Sequence, residues 1–285
     1  MKVWVTGAAG QLGHDVMKRL YELNIEAKGT DVQELDLTDR EATLAAIESY
    51  QPDVVVHCAA YTAVDQAEDE PEKCARINVD ATRNVALGCQ KTGAKLVYIS
   101  TDYVFNGQGE KPFGEDQLKE PISVYGLTKA RGEDVCCELV EKLFIVRISW
   151  VFGINGKNFV KTMLRLGAER KELTVVCDQI GSPTYTWDLA QLLCQMIQTQ
   201  KYGVYHATNE GYCSWQEFAQ AIMDKARLDW IVQPILSKDY PAKAKRPFNS
   251  RMSKKKLDEA GFARLPHWED ALERYLQELK DQAGN

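Results

Sequence analysis

The stretch Val3-Trp4-Val5-Thr6-Gly7-Ala8-Ala9-Gly10-Gln11-Leu12-Gly13 determines the fold of this 285-residue chain. Its apolar start predicts a buried strand over residues 2–5. Apolar side chains then recur at the spacing of one helix face: Leu12, Val16, Leu20 and Leu23. Between the strand and the helix lie three glycines, each three residues from the next: Gly7, Gly10 and Gly13.

A glycine loop in this position has a physical use. Glycines permit a tight turn, a close backbone approach to a pyrophosphate and close packing of helix on strand. The start of the helix then offers unpaired N–H groups and the positive end of its dipole to the phosphates. We therefore predict a dinucleotide-binding loop that includes Gly7, Gly10 and Gly13, and the alternative is a plain structural turn.

Short apolar segments alternate with helical patterns through the first half of the chain. The predicted strands are residues 2–5, 25–30, 54–58, 96–99 and 144–148. The predicted helices after the first one are residues 40–50, 72–92 and 125–140. Strands that are apolar throughout must be buried on both faces of the sheet. Their alternation with helices therefore predicts an α/β fold, a Rossmann-type doubly wound parallel sheet.

After Trp150 the alternation weakens. Four more helices are predicted at residues 159–170, 187–198, 215–226 and 268–279, with proline-containing loops between them. We predict an NAD(P)-binding Rossmann domain over residues 1–150, with part of 178–205 packing back on it. Residues 151–285 are predicted to form mainly a smaller substrate-binding lobe.

Composition and charge exclude several classes of protein. Hydrophobic residues make up 45% and charged residues 27% of the chain, as in ordinary globular proteins. The net charge of −6 and the lack of a long basic run argue against nucleic-acid or anionic-membrane partners. No apolar run is long enough to span a bilayer, and the eight cysteines have no export signal before them, so we expect reduced thiols in the cytoplasm.

Two acidic positions follow the glycine loop at the end of the second strand. Asp31 lies where an acid usually binds the adenosine ribose hydroxyls. Its carboxylate would repel a 2′-phosphate and so favours NADH over NADPH, unless the nearby Lys28 offsets the repulsion. Asp36, followed by Leu37, could place a second carboxylate near the adenine amino group.

A threonine, a tyrosine and a lysine form the candidate catalytic set. Tyr125 and Lys129 are four residues apart at the start of a predicted helix and therefore share a helix face. A neighbouring ammonium favours the phenolate, so we expect Lys129 to lower the pKa of Tyr125 toward the range of a general acid or base. Thr101 ends the fourth strand, at the sheet edge where ligands bind, and its hydroxyl could reach a carbonyl oxygen of the substrate.

The glycine loop and this set together resemble the extended short-chain dehydrogenase/reductase superfamily. Longer strings resemble one family in it, the dTDP-4-dehydrorhamnose reductases, over about residues 1–275. Those strings are Cys58-Ala59-Ala60-Tyr61-Thr62-Ala63-Val64-Asp65, Ser100-Thr101-Asp102-Tyr103-Val104-Phe105, Asn158-Phe159-Val160-Lys161-Thr162-Met163, Asp178-Gln179-Ile180-Gly181-Ser182-Pro183-Thr184 and Arg246-Pro247-Phe248-Asn249-Ser250-Arg251.

The resemblance implies a function and a set of site residues. Tyr125 would donate a proton, Lys129 would hold the nicotinamide ribose, and Thr101 would orient the C4 carbonyl of the sugar. The cofactor, NADPH or NADH, would be lined by Gly10, Gln11, Leu12, Asp31, Asp36, Leu37, Ala59 and Ala60. The sugar would lie beside Thr62, Thr101, Asp102, Tyr103 and Trp150.

Two further expectations concern charge. Arg246, in a basic loop of an acidic chain, would either contact the diphosphate of a nucleotide-sugar substrate or form a structural ion pair. Some members of the family hold magnesium with surface glutamates. Asp15 lies at one such position, and its shorter carboxylate leads us to predict no metal.

Three other activities fit parts of the pattern. Nucleotide-sugar dehydratases need an Asp followed by a Glu after the threonine, whereas here Tyr103 follows Asp102. An epimerase that recycles its cofactor and a non-catalytic regulatory subunit of the methionine adenosyltransferase type are the alternatives to a reductase. A homodimer is compatible with the sequence.

Overall fold

The elements follow one another in α/β alternation and then shorten. The computed structural model describes residues 1–169, 172–228 and 230–283. The strands are β1 (Lys2–Thr6), β2 (Glu26–Thr30), β3 (Val54–His57), β4 (Lys95–Thr101), β5 (Leu143–Ile148), β6 (Val151–Phe152), β7 (Leu173–Val176), β8 (Ile180–Gly181), β9 (Thr184–Tyr185), β10 (Gly203–His206), β11 (Asn209–Glu210), β12 (Cys213–Ser214), β13 (Val232–Ile235) and β14 (Leu265–His267).

The helices lie between these strands and at the end of the chain. They are α1 (Gln11–Glu22), α2 (Arg40–Tyr50), α3 (Val64–Ala67), α4 (Pro71–Ala75), α5 (Ala81–Thr92), α6 (Val124–Leu139), α7 (Phe159–Glu169), α8 (Thr186–Met196), α9 (Trp215–Lys225), α10 (Lys255–Ala260) and α11 (Trp268–Ala283). In the parts of the chain that the structure describes, none of them has the length and apolar character needed to cross a membrane.

Six parallel strands form the central sheet in the order β10-β5-β4-β3-β1-β2. The predicted Rossmann-type parallel sheet is therefore confirmed. The strand order reverses at β1, which lies between β2 and β3, and ligands of such sheets bind at the carboxyl ends of the strands beside this reversal. The glycine loop, which follows β1, is at that point.

Alternate residues of β1 pack on opposite faces of the sheet, as strand geometry requires. Val3 and Val5 join a core cluster with residues of α1 and α8, whereas Trp4 joins the cluster formed with α2, α5 and α6. A third cluster, rich in aromatic rings, lies outside the sheet and is built from α7, α9, α11 and the short strands beside them. This third core carries the second half of the site described below.

The structure differs from the sequence predictions in the helix before α5 and in the sixth strand of the sheet. The helix predicted at 72–92 is interrupted by a wide π turn over Arg76–Asp80. The strand β10 was not predicted. It has only four residues, too few to show a periodic apolar pattern, and it becomes recognisable only by its pairing with β5. The helix predicted at 159–170 is described to Glu169, and its expected last residue, Arg170, lies outside the described residues, as do the last two residues of the predicted lobe.

Candidate active site

The glycine loop is shaped by contacts that exclude side chains. Gly7 has a left-handed φ of 65°, and a Cβ there would lie 2.7 Å from the backbone nitrogen of Ala59. Gly10 caps α1 without a side-chain hydrogen bond to the first helical N–H groups. These groups are therefore available to an anion. The loop thus fits the pyrophosphate of a dinucleotide.

Gly13 has the packing role that the sequence analysis gave to the glycines of this loop. A Cβ on Gly13 would lie 2.2 Å from the carbonyl oxygen of Gly7, so this glycine lets α1 pack on the loop. It is not among the residues that line the cavity. That Gly13 belongs to the cofactor-binding loop stays a prediction, and its bare Cα faces the loop's own backbone.

One cavity of about 1090 Å³ brings the remaining candidates together at the carboxyl edge of the sheet. The predicted cofactor residues that line it are Gly7, Gly10, Gln11, Leu12, Asp31, Asp36, Leu37, Ala59, Ala60, Tyr125 and Lys129. The predicted substrate residues that line it are Thr62, Thr101, Asp102, Tyr103 and Trp150. This volume is at the upper end of the range of ligand pockets in proteins.

Asp31 closes one end of this cavity. Its carboxylate accepts hydrogen bonds from the backbone nitrogens of Ala9, at 3.1 Å, and Val32, at 2.8 Å. Asp31 therefore also braces the glycine loop. Lys28 does not approach this carboxylate, because its ammonium lies over the rings of Trp4 and Tyr50, 5.4 and 5.6 Å from their centroids.

Asp36 and Leu37 line the same end of the cavity. The Oδ1 atom of Asp36 accepts hydrogen bonds from the backbone and hydroxyl of Thr38, and these bonds lower the pKa of its carboxyl. Arg76 reaches the same threonine hydroxyl from the π turn, at 3.3 Å. A cation that the sequence analysis did not identify therefore lies beside this carboxylate.

The start of α6 holds Tyr125 and Lys129 in the cavity wall. Ser123 caps the helix by accepting a bond from the nitrogen of Gly126. Gly126 has no room for a side chain, since a Cβ would lie 2.2 Å from the carbonyl oxygen of Tyr103. This close approach places the Tyr103 and Tyr125 rings edge to face, with centroids 5.4 Å apart.

The expected effect of Lys129 on Tyr125 is wrong. Burial raises the pKa of the Tyr125 phenol well above its usual value, and hydrogen bonding with Thr101 opposes this only in part. The Lys129 ammonium instead lies over the Tyr98 ring, 4.1 Å from its centroid. Burial lowers the pKa of Lys129 to about 8. Because the pKa of Tyr125 is raised, its phenol keeps its proton at neutral pH.

Thr101 and Asp102 form a short chain of hydrogen bonds across the site. The Thr101 hydroxyl donates to Oδ1 of Asp102 at 2.9 Å, and the Ser250 hydroxyl donates to Oδ2. Burial raises the pKa of the Asp102 carboxyl to about 6. Ser250 belongs to the string Arg246-Pro247-Phe248-Asn249-Ser250-Arg251. These hydrogen bonds therefore join the two halves of the molecule at the site.

Two stacked indoles form the wall opposite the sheet. Trp150 has a φ of 49°, a left-handed conformation that bulky residues rarely adopt. The Trp150 ring stacks on Trp215 at a centroid distance of 3.7 Å. A Cβ on Gly181 would lie 2.8 Å from the Trp150 ring. Trp215 also lines the cavity, and nothing in its sequence spacing indicates this.

Arg246 forms an ion pair instead of lining the cavity. Its guanidinium donates two bonds to the carboxylate of Asp65, at 2.9 and 2.6 Å. The bonds from Arg246 are the largest cause that lowers the pKa of Asp65 to about 2. Of the two interpretations of Arg246, the structure therefore contains the ion pair.

Asp15, the position compared with a magnesium ligand, is buried in the interior. It accepts hydrogen bonds from Thr186 and from the ring of His14, and burial raises the pKa of its carboxyl. In the described residues, no three His, Cys, Asp or Glu side chains are grouped closely enough to hold a metal ion.

Comparison with known proteins places the chain in a family. Residues 1–281 match the family model of the RmlD substrate binding domain. The spore coat polysaccharide biosynthesis protein SpsK of Bacillus subtilis is 42% identical, with 97% of each chain covered. A dTDP-4-dehydrorhamnose reductase of Aggregatibacter actinomycetemcomitans is 40% identical, over 95% of this chain and 97% of its own.

A solved structure is similar throughout. The dTDP-4-dehydrorhamnose reductase of Bacillus anthracis, in complex with NADP, superposes with a TM-score of 0.95 at 44% identity. The match covers 97% of this chain and 99% of that one. The chain belongs to the RmlD substrate-binding domain family.

Proposed function

We propose that the protein reduces the C4 ketone of dTDP-4-dehydro-L-rhamnose to dTDP-L-rhamnose, with NADPH or NADH as the hydride donor. The observation that carries this proposal is that Thr101, Tyr125 and Lys129 line the same cavity as the glycine loop. The names of the relatives support the choice of a nucleotide-sugar substrate.

The cofactor is held by residues at the carboxyl ends of β1, β2 and β3. The open start of α1 and the glycines Gly7 and Gly10 fit its pyrophosphate, and Asp31 fits the adenosine ribose. The nicotinamide, when bound, supplies the hydride. Lys129, with its ammonium inside the cavity wall, holds the nicotinamide ribose.

The phenol of Tyr125 supplies the proton. Reduction of a ketone leaves negative charge on the oxygen, and this charge must be neutralised by an acid. Because burial raises the pKa of Tyr125, the phenol is present in the form that donates. Lys129, whose pKa of about 8 leaves it mostly protonated at pH 7, adds positive charge to the same wall.

The substrate lies between the sheet edge and the indole wall. Thr101 orients the C4 oxygen, Thr62 and Tyr103 contact the sugar, and Trp150 packs against its face. Asp102 acts through Thr101, whose hydroxyl it holds. We propose that residues 1–150, with α8 and β10, bind the cofactor, and that most of the remaining chain encloses the substrate.

The same geometry disfavours dehydration. A dehydratase needs a base after the aspartate. Burial raises the pKa of the Tyr103 phenol further above its usual value, which is already well above neutral pH. Tyr103 is therefore protonated and cannot accept a proton at neutral pH. This agrees with a reaction that ends at the alcohol.

The test is the stoichiometry of cofactor oxidation. Purified protein, dTDP-4-dehydro-L-rhamnose and NADPH or NADH should give one oxidised nicotinamide for each dTDP-L-rhamnose identified by mass spectrometry and NMR. An epimerase would form product without net oxidation of the cofactor, and a regulatory subunit would bind it without turnover. Either result would reject the reductase.

Two further properties belong to this proposal. All eight cysteines are free thiols, which supports a reducing compartment, and we propose the cytoplasm. A homodimer stays a prediction, and sedimentation velocity of the full chain at micromolar concentration tests it.

A further inference from the structure

A loop from the second half of the chain fastens onto the glycine loop. We define it as the clasp loop, residues 153–158. The backbone nitrogen of Gly153 donates to Oε1 of Gln11 at 2.9 Å, and the amide of Asn158 donates to the same oxygen at 3.1 Å. The amide of Asn155 donates to the carbonyl oxygen of Ala9 at 2.6 Å. The clasp loop is therefore tied to both sides of Gly10.

The clasp loop is also fixed from behind. The ammonium of Lys161 donates to the carbonyl oxygens of Ile154 and Gly156, the latter at 3.0 Å. Gly156 has a left-handed φ of 72°, which turns the chain at this point. The backbone on both sides of Lys157 is thus held by hydrogen bonds, while the Lys157 side chain is not.

Lys157 lines the main cavity beside the glycine loop. Its ammonium forms no ion pair or hydrogen bond with any residue that the structure describes. The other Lys and Arg side chains of the cavity wall are engaged: Lys73 pairs with Glu70 at 3.0 Å, Arg76 binds Thr38, and the Lys129 ammonium lies over the Tyr98 ring. Lys157 therefore has an uncommitted positive charge between two anchors on the loop expected to bind phosphates.

The start of α1 alone cannot neutralise a pyrophosphate. A helix end supplies the equivalent of about half a positive charge, whereas a pyrophosphate diester carries about two negative ones. A lysine ammonium is a strong, mobile partner for phosphate oxygens. We propose that Lys157 completes the pyrophosphate site of the cofactor, from the side opposite α1. This inference rests on the proposed nicotinamide dependence.

Isothermal titration calorimetry of the cofactors tests the inference without turnover. The full chain and its Lys157→Ala, Lys157→Arg and Lys280→Ala variants are titrated with NADPH, NADH and dTDP. Lys280 is the matched control, because it is an exposed lysine on α11 outside the cavity lining. We expect Lys157→Ala to weaken NADPH and NADH alike by roughly 2- to 5-fold, as for one solvent-exposed charge pair. Lys157→Arg and Lys280→Ala should bind as wild type does.

The loss of cofactor affinity in Lys157→Ala should also be smaller at high salt, since an exposed charge pair is screened. Equal affinities of wild type and Lys157→Ala for both cofactors would overturn the inference and leave the reductase proposal intact. A loss confined to NADPH would place Lys157 at the 2′-phosphate, and a loss confined to dTDP would place it at the substrate diphosphate. Both results overturn the inference. Wild-type protein that binds neither cofactor would overturn it together with the proposed function.

Discussion

The Thr101 hydroxyl donates its hydrogen bond to Oδ1 of Asp102, over 2.9 Å. A hydroxyl has one proton to donate, so Thr101 cannot bind a ketone oxygen while it holds this bond. The second oxygen of Asp102 is satisfied by Ser250. Binding of the substrate must therefore draw the Thr101 proton away from a buried carboxylate, and Asp102 sets the free energy cost of that exchange.

Thr101→Val tests the role of this hydroxyl. Valine keeps the shape of the side chain and removes the donor, so we expect kcat to fall by roughly 10²-fold, as for the loss of one oxyanion donor. Thr101→Ser keeps the hydroxyl and should stay within about tenfold of wild type. The affinity for NADPH, measured by calorimetry, should not change in either variant. Equal turnover of the valine and serine variants would contradict the role.

The Asp102 carboxyl should make stability depend on pH. Its pKa rises from 3.8 to about 6 on folding because it is buried. The folded state thus binds the proton more tightly, so this stabilisation is complete below about pH 4 and lost as the pH rises through 6.

The matched comparison is Asp102→Asn, which cannot titrate. Relative to this variant, the free energy of unfolding of wild type should fall by at most about 3 kcal/mol between pH 4 and pH 7. Urea denaturation of both proteins at four pH values across this range measures the difference. A difference that does not vary with pH would show that the pKa is not raised.

Tyr125→Phe removes only the phenol oxygen, so the fold and cofactor binding should survive. Loss of the positioned acid should reduce turnover by about 10²–10⁴-fold. Single-turnover measurement of NADPH oxidation isolates the chemical step. Tyr21→Phe is the control, because Tyr21 is 84% exposed on α1. If Tyr125→Phe retains wild-type single-turnover rates, another group donates the proton.

The sequence predicted those parts of the site that depend on local spacing. The glycine loop and the pair Tyr125 and Lys129 each lie within one turn or one helix, and the structure places all of them except Gly13 in the cavity wall. The parallel sheet followed from five apolar strands. Such features depend on residues close together in the chain, which periodicity can identify.

The features that were missed depend on distant pairs. An ion pair of Arg246 was one of two interpretations, but its partner Asp65, in the other half of the molecule, was not identified. The stacking of Trp215 on Trp150 was not predicted either. The direction of the Lys129 side chain toward Tyr98, and with it the burial of Tyr125, is also set by tertiary packing. Motif spacing contains no information on these contacts, and so the pKa of Tyr125 was predicted with the wrong sign.

Asp31 should determine the choice between NADH and NADPH. Its carboxylate lines the cavity, and Lys28 is engaged with aromatic rings instead of offsetting its charge. We expect both cofactors to work, with NADH at least as good as NADPH. Asp31→Ala should shift the ratio of kcat/KM toward NADPH by roughly tenfold, because it removes one repulsive charge pair.

Asp31→Asn separates charge from structure, since asparagine can still accept the hydrogen bond from Ala9. It should shift the ratio as much as alanine does, whereas Lys28→Ala should leave the ratio unchanged. The measurement is kcat/KM for both cofactors with each variant. An unchanged ratio in both Asp31 variants would show that this residue does not sense the 2′ position.

The ion pair between Arg246 and Asp65 fastens the loop around Arg246 to α3. The backbone nitrogen of Ala244 also donates to Asp65, at 3.0 Å, and the neighbouring Lys243 pairs with Asp69. Asp65 follows Thr62 closely in the chain, and Thr62 lines the cavity. Loosening either partner should therefore disturb the substrate end of the site and spare the cofactor end.

A double-mutant cycle on Arg246→Met and Asp65→Asn distinguishes an ion pair from a substrate contact. If the two residues act only through each other, each variant should raise KM for the nucleotide sugar by a similar factor, and the double variant should raise it no further. The coupling in the free energy of unfolding should be about 1 kcal/mol or less, because both side chains are partly exposed. The affinity for NADPH should stay at its wild-type value throughout. A rise in KM for Arg246→Met that far exceeds that for Asp65→Asn would instead show that the guanidinium leaves Asp65 and binds the diphosphate of the substrate.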